Sequence, residues 1–77
     1  MDIRNLVKMA NQIGDYFSSL PDREEALKEI AGHLQKFWAP RMRCQLLEYI
    51  DRHHGEGLQD MVLTSLNIHR AKLKSKV

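Results

Sequence analysis

Apolar residues recur at intervals of three and four along most of the chain, the spacing of one face of an α-helix. The first such run predicts a helix from about residue 2 or 3 to residue 19. Its apolar positions are Ile3, Leu6, Val7, Ala10, Ile13, Phe17 and Leu20. Gly14 lies near the edge of this stripe. A glycine there either allows another helix to pack closely or is simply tolerated within the helix. No strand-like alternation, repeat or low-complexity segment interrupts the helical pattern, so the sequence predicts an all-α fold.

The second helical run begins at Asp22, a residue type that caps helix N-termini, with Glu25 placed three residues later to complete a capping box. Its apolar face consists of Ala26, Leu27, Ile30, Ala31, Leu34 and Phe37. Pro40 disfavours helical geometry at the residue before it and suits the first position of a new helix. The second helix is therefore predicted to end near Trp38 and the third to begin at Pro40.

The junction at residues 36–43 concentrates the only Trp, one of the two Phe, a Pro and two Arg. Neighbouring residues on a helix point about 100° apart, so of Phe37 and Trp38 one faces inward and the other outward. A Trp at such a corner is expected to be hard to bury fully. We therefore interpret this corner as the contact surface of the domain.

The third helix is predicted to stop at His53-His54-Gly55, because glycine suits the left-handed residue after a helix. A fourth, weaker stripe contains Leu58, Met61, Val62, Leu66 and Leu73. Short connections favour antiparallel neighbours, which predicts a compact bundle of three to four short helices. We expect one helical domain over residues 1–70 and a basic, frayed tail over residues 71–77.

Length and composition narrow the class of protein. A chain of 77 residues, 43% hydrophobic and 29% charged, makes one small soluble domain that is marginal alone and is stabilised by a partner. No apolar run approaches the roughly 20 residues that span a bilayer, and the N-terminus does not have the pattern of a secretion signal. The single cysteine, Cys44, excludes an internal disulfide and fits a cytoplasmic protein.

No residue pattern indicates catalysis, a cofactor or a metal. Cys44 could meet His33 or His53 in space, but nothing in the sequence activates the thiol. His53 and His54 diverge on a helix and have no further ligands at suitable spacing, while Gly55-Glu-Gly57 lacks the strand and the Lys-Ser/Thr of a phosphate loop. We predict no catalytic, cofactor-binding or metal-binding residue in this chain.

Basic residues leave one alternative open, a small helical nucleic-acid-binding protein that uses an Arg41/Arg43 face and the basic tail. The third helix also carries Glu48 and Asp51, which would be repelled by phosphates. Trp and Arg are enriched at the energetic centres of protein interfaces. The sequence thus favours a protein partner over nucleic acid.

Four segments carry a family resemblance: residues 6–14 (LVKMANQIG), residues 21–26 (PDREEA), Ile30-Ala31 with His33-Leu34, and residues 37–43 (FWAPRMR). Together, over roughly residues 2–66, they resemble the delta subunit of NAD-dependent formate dehydrogenase. The match is most specific in the first helix and at the corner.

The resemblance implies a small, non-catalytic subunit of a soluble cytoplasmic enzyme that oxidises formate to carbon dioxide and reduces NAD⁺. It implies that the chain binds the large catalytic subunit and supports assembly or stability of the active complex. It places the molybdenum or tungsten pterin, the iron-sulfur clusters and the flavin in larger subunits, with no cofactor here. The predicted partner-binding residues are Asn11, Gln12, Phe37, Trp38, Pro40, Arg41, Met42 and Arg43.

Overall fold

The computed structural model describes residues 2–74 and arranges them as helices with short connections. The elements are α1 (Ile3–Phe17), α2 (Arg23–Phe37), α3 (Pro40–His53), α4 (Asp60–Ile68) and α5 (Arg70–Leu73). No strand occurs among residues 2–74, so the predicted all-α fold class is confirmed. No helix in this range is long and apolar enough to cross a membrane.

Local sequence signals set the helix starts. Asp2 caps α1 by accepting a hydrogen bond from the backbone N–H of Arg4 at 2.9 Å. Asp22 caps α2 as predicted, accepting from the backbone N–H groups of Glu24 at 3.0 Å and Glu25 at 3.4 Å. Pro40 occupies the first position of α3, as predicted.

The helix ends follow the predictions with two differences. α1 ends at Phe17 rather than at residue 19, because the hydroxyls of Ser18 and Ser19 donate to the carbonyls of Asp15 and Tyr16 and close the last turn. α3 stops where predicted, but the residue that directly follows it in the left-handed conformation is His54 (φ 58°). Gly55, at φ 70°, takes the same conformation one residue later.

All five helices contribute to one hydrophobic core. Its buried members are Leu6, Ala10, Leu34, Trp38, Leu46, Leu47, Ile50, Val62, Leu66 and Leu73. Helix α2 contacts every other helix, so it is the central element of the bundle. The core therefore depends on packing between elements that are far apart in sequence.

The expectation that Trp38 resists burial is wrong, since only 5% of its surface is exposed. Trp38 is the C-terminal cap of α2 and its backbone is extended, with φ −89° and ψ 139°. Because Trp38 has left the helical course, its side chain packs into the core while Phe37 stays 72% exposed. One of the two neighbours does face inward, as predicted.

The fourth stripe is divided in two at His69, whose φ of −103° and ψ of 23° separate α4 from α5. Leu73 lies on α5 and is 1% exposed, so the core extends beyond the predicted domain boundary at residue 70. Of the predicted tail, residues 71–73 belong to α5, and residues 75–77 lie outside the described part of the chain.

Candidate interaction surface

Asn11, a predicted partner-binding residue, uses both ends of its amide within the chain. Its Nδ2 donates to the carbonyl of Gly57 at 2.9 Å, and its Oδ1 accepts from the backbone N–H of Gln59 at 2.9 Å. Gln59 in turn donates through Nε2 to the carboxylate of Asp15 at 2.6 Å. These bonds fasten α1 to the loop before α4, so the Asn11 amide has a structural task in the isolated chain.

Gly14 lies on the same inner face of α1 and allows α4 to approach closely. A Cβ atom at Gly14 would lie 2.5 Å from Cγ2 of Val62 and 2.7 Å from Oε1 of Gln59. No other side chain fits there without a shift of its neighbours. Of the two readings that the sequence allowed for Gly14, the structure supports close helix packing.

The side chain of Arg43, which is partly buried, links the corner to two helix ends. Its Nη1 donates to the carbonyls of Gln35 and Trp38, each at 2.9 Å, and its Nε donates to the carbonyl of Leu73 at 3.2 Å. These carbonyls lie at the C-terminal ends of α2 and α5, where helices leave acceptors unpaired and favour a positive charge. Arg43 therefore stabilises two helix ends.

The other corner residues differ in exposure. Pro40 and Arg41 are exposed, whereas Met42 is partly buried against the core. The side chain of Arg41 makes no hydrogen bond or ion pair with any residue in 2–74, so its guanidinium is available to a partner. Because Arg43 is committed to backbone carbonyls, the basic face that the nucleic-acid alternative requires is reduced to Arg41 at this corner.

A row of four aromatic side chains crosses from α1 to α2, which we call the aromatic row: Tyr16, Phe17, His33 and Phe37. Ring centroids are 4.9 Å apart for Tyr16 and Phe17, 6.1 Å for Phe17 and His33, and 4.8 Å for His33 and Phe37. Tyr16 is 74% exposed and Phe37 is 72% exposed. The two ends of the row thus present large apolar surfaces to water.

An apolar groove of about 550 Å³ borders the aromatic row. Its lining residues are Met9, Gln12, Ile13, Tyr16, Phe17, His33 and Trp38. The predicted contact residue Gln12 lies on this groove, whereas the predicted contact residue Trp38 adds to it only the small part that the core leaves uncovered. The surface is therefore centred on α1 and α2 and is wider than the predicted corner.

Sequence reasoning missed most of this groove, because it assigned Ile13 and Phe17 to the core stripe of α1. One usable signal was present: Tyr16 and Phe17 are adjacent on a predicted helix, where neighbouring side chains point about 100° apart. Applied to α1, that argument would have placed one large ring on the surface.

Chemically active groups do not converge near the groove. Within the described range, no three or more His, Cys, Asp or Glu side chains are grouped so that they could hold a metal ion. Cys44 is exposed on α3, and His53 and His54 are exposed at its end. Hydrogen bonds from the side chain and backbone of Arg4 lower the pKa of the Asp2 carboxyl. This shift reflects the role of Asp2 as the N-terminal cap of α1 and does not indicate a reactive group.

Comparison with known families gives a match over most of the chain. The family model described as "NADH-dependant formate dehydrogenase delta subunit FdsD" matches residues 5–66, which include most of α1, all of α2 and α3, the corner and most of α4. No curated protein and no solved structure matches the chain.

Proposed function

The chain belongs to the FdsD family of formate dehydrogenase delta subunits, and from this we propose that it is a non-catalytic subunit that binds the large catalytic subunit. The observation that carries the proposal is the aromatic row, whose two ends are more than 70% exposed beside an apolar groove. Large exposed apolar patches on small soluble domains mark interaction sites. In this proposal, binding supports assembly or stability of the active enzyme.

The energetics favour a docking role for this surface. Covering a side chain such as Phe37 gains about 1.5–3 kcal/mol relative to leaving it in water. Aromatic residues that fill pockets, together with arginines, dominate the binding energy of many interfaces. Arg41, on α3, is exposed and available to take part. A domain of this size is marginally stable, so a partner that binds only its folded state shifts its folding equilibrium towards that state.

The same proposal assigns the reaction chemistry to other subunits of a cytoplasmic complex. The molybdenum or tungsten pterin, the iron-sulfur clusters and the flavin would reside on larger chains. This chain would contribute binding surface alone.

Purification of the tagged full-length chain from its native cells tests the partner. We expect the pterin-bearing subunit to co-purify in a fixed ratio, and removal of the chain to lower the yield of intact enzyme with formate-dependent NAD⁺ reduction. A Tyr16→Ala/Phe37→Ala double variant should retain its helical circular dichroism and lose the partner. A substitution of Trp38 is unsuited to this purpose, because Trp38 is part of the core.

Two results would contradict the proposal. Formate oxidation by the purified chain alone would show that it is an enzyme. Absence of the large subunit from the purified material, with the fold intact, would remove the proposed partner.

A further inference from the structure

Gly32 lies in the interior of α2 at a position where nothing else in the described chain requires glycine. A Cβ atom built there has no neighbour within 4 Å, unlike the one at Gly14. Glycine in a helix interior is less favourable than alanine, because it loses more backbone freedom on folding. Within residues 2–74 this loss has no compensating contact.

The surroundings of Gly32 form a second groove, of about 370 Å³, which continues from the aromatic row. Its lining residues include Phe17, Gly32, His33 and Phe37. Phe17, His33 and Phe37 of the aromatic row thus form one side of a groove that has Gly32 in its wall.

Charge around this groove is positive, since three lysines face one glutamate: Lys28, Lys36 and Lys72 against Glu29. None of the three lysines forms an ion pair with another residue of the described chain. The groove therefore combines an apolar wall with unpaired ammonium groups. Between them lies the surface of α2 at Gly32, which has no side chain.

We propose that a helix of the partner subunit crosses α2 at Gly32, with aliphatic side chains on the aromatic row and carboxylates facing Lys28, Lys36 and Lys72. This inference rests on the proposed function, because it names the surface and the chemistry of that same contact. A missing side chain in the ridge of one helix lets a second helix approach closely. The lysines around the groove would orient a partner with carboxylates and repel a partner with positive charges.

A second copy of this chain fits the groove less well. Each copy would bring its own three lysines to the contact, and like charges placed opposite each other weaken association. An acidic, aliphatic helix from a different chain meets both the apolar and the charged parts of the surface.

The test measures the affinity of the purified large catalytic subunit for full-length variants of this chain by titration calorimetry. Gly32→Leu should raise the melting temperature of the free chain, since the position is open and leucine favours helix, and yet weaken binding about tenfold or more. Gly32→Ala should change both quantities in the same directions by less. Opposite signs for folding and binding separate docking from damage to the fold.

Matched substitutions check the other parts of the surface. Phe37→Ala should weaken binding more than Ile68→Ala, which removes a residue of similar exposure, 61%, from α4, where it lines a different pocket on the other side of Lys28. Lys36→Glu should weaken binding and reduce its salt dependence, whereas Lys8→Glu makes the same charge change on α1 outside the groove and should have little effect.

The outcomes distinguish this inference from the proposed function. If the wild-type chain does not bind the large subunit, both are overturned. If the wild-type chain binds and Gly32→Leu, Phe37→Ala and Lys36→Glu bind equally well, only the inference is overturned. Self-association or single-stranded DNA binding by the wild-type chain that is lost in Gly32→Leu would assign the groove to another occupant and overturn it as well.

Discussion

The surroundings of Gly14 on α1 and of Gly32 on α2 show two different states of a helix surface. Around Gly14 the chain has closed the contact, with Val62 and Gln59 seated where a Cβ would lie. Around Gly32 the same kind of notch is open, and aromatic and lysine side chains border it. At Gly14 a helix of the same chain packs closely against the glycine. At Gly32 no part of the described chain does so, and the surface is accessible to another molecule.

The corner repeats this contrast over a few residues. Trp38 and Arg43 point into the molecule, where they complete the core and hold two helix ends. Phe37 and Arg41 point outward and have no such task in the described chain. Trp38 and Arg43 stabilise the fold, whereas Phe37 and Arg41 are available to bind a partner. Paired substitutions can therefore separate the two roles.

The largest expected difference is between Trp38→Ala and Phe37→Ala. Removing the buried indole should cost about 3–5 kcal/mol, enough to unfold much of a small domain, because it leaves a cavity in the core. Removing the exposed phenyl ring should change the free energy of unfolding by about 0.5 kcal/mol or less. Urea denaturation followed by circular dichroism measures both, and similar losses would break the contrast at the corner.

Next in size is the comparison of alanine at the two glycines. Gly14→Ala should destabilise the chain by about 1–3 kcal/mol, because the new methyl group overlaps Val62 and Gln59. Gly32→Ala should stabilise it by up to about 1 kcal/mol through helix propensity. Thermal unfolding of the two variants checks the signs, and a stabilising Gly14→Ala would show that the α1–α4 contact is looser than described.

Arg43→Ala and Arg41→Ala sharpen the comparison further. The first should cost about 1–2 kcal/mol, since three carbonyls lose a charged donor and water can replace only part of it. The second should leave stability unchanged within about 0.5 kcal/mol. Amide hydrogen exchange in α5 should also rise in Arg43→Ala, and unaltered protection there would contradict the capping role.

The smallest effect on stability is expected at Asp2, which caps α1 and lies near neither Gly14 nor Gly32. Because Arg4 lowers its pKa in the folded chain, the charged form contributes stability above the ordinary value of 3.8 and loses it as pH falls through the lower folded value. Asp2→Ala should lower the melting temperature slightly at pH 7, and the difference should vanish in acid. A difference that persisted at low pH would assign the effect to something other than this carboxylate.

Much of the fold followed from short-range signals. Asp22, Pro40 and the apolar spacing located three helices because caps, proline geometry and helical periodicity act within a few residues. The candidate surface was harder to predict. Tyr16 and Phe17 are both large and apolar, and only the position of α2 decides which ring is covered and which row they form with His33 and Phe37.

The sequence by itself determined that this chain is helical, where α1, α2 and α3 begin, and, through its motifs, the family to which it belongs. Tertiary structure alone decided that Trp38 and Arg43 are structural, that Leu73 closes the core, and that the open surface spans α1 and α2. The physical reason is distance along the chain. Helix periodicity and caps depend on neighbours three or four residues away, whereas burial depends on which distant helix arrives to cover a side chain.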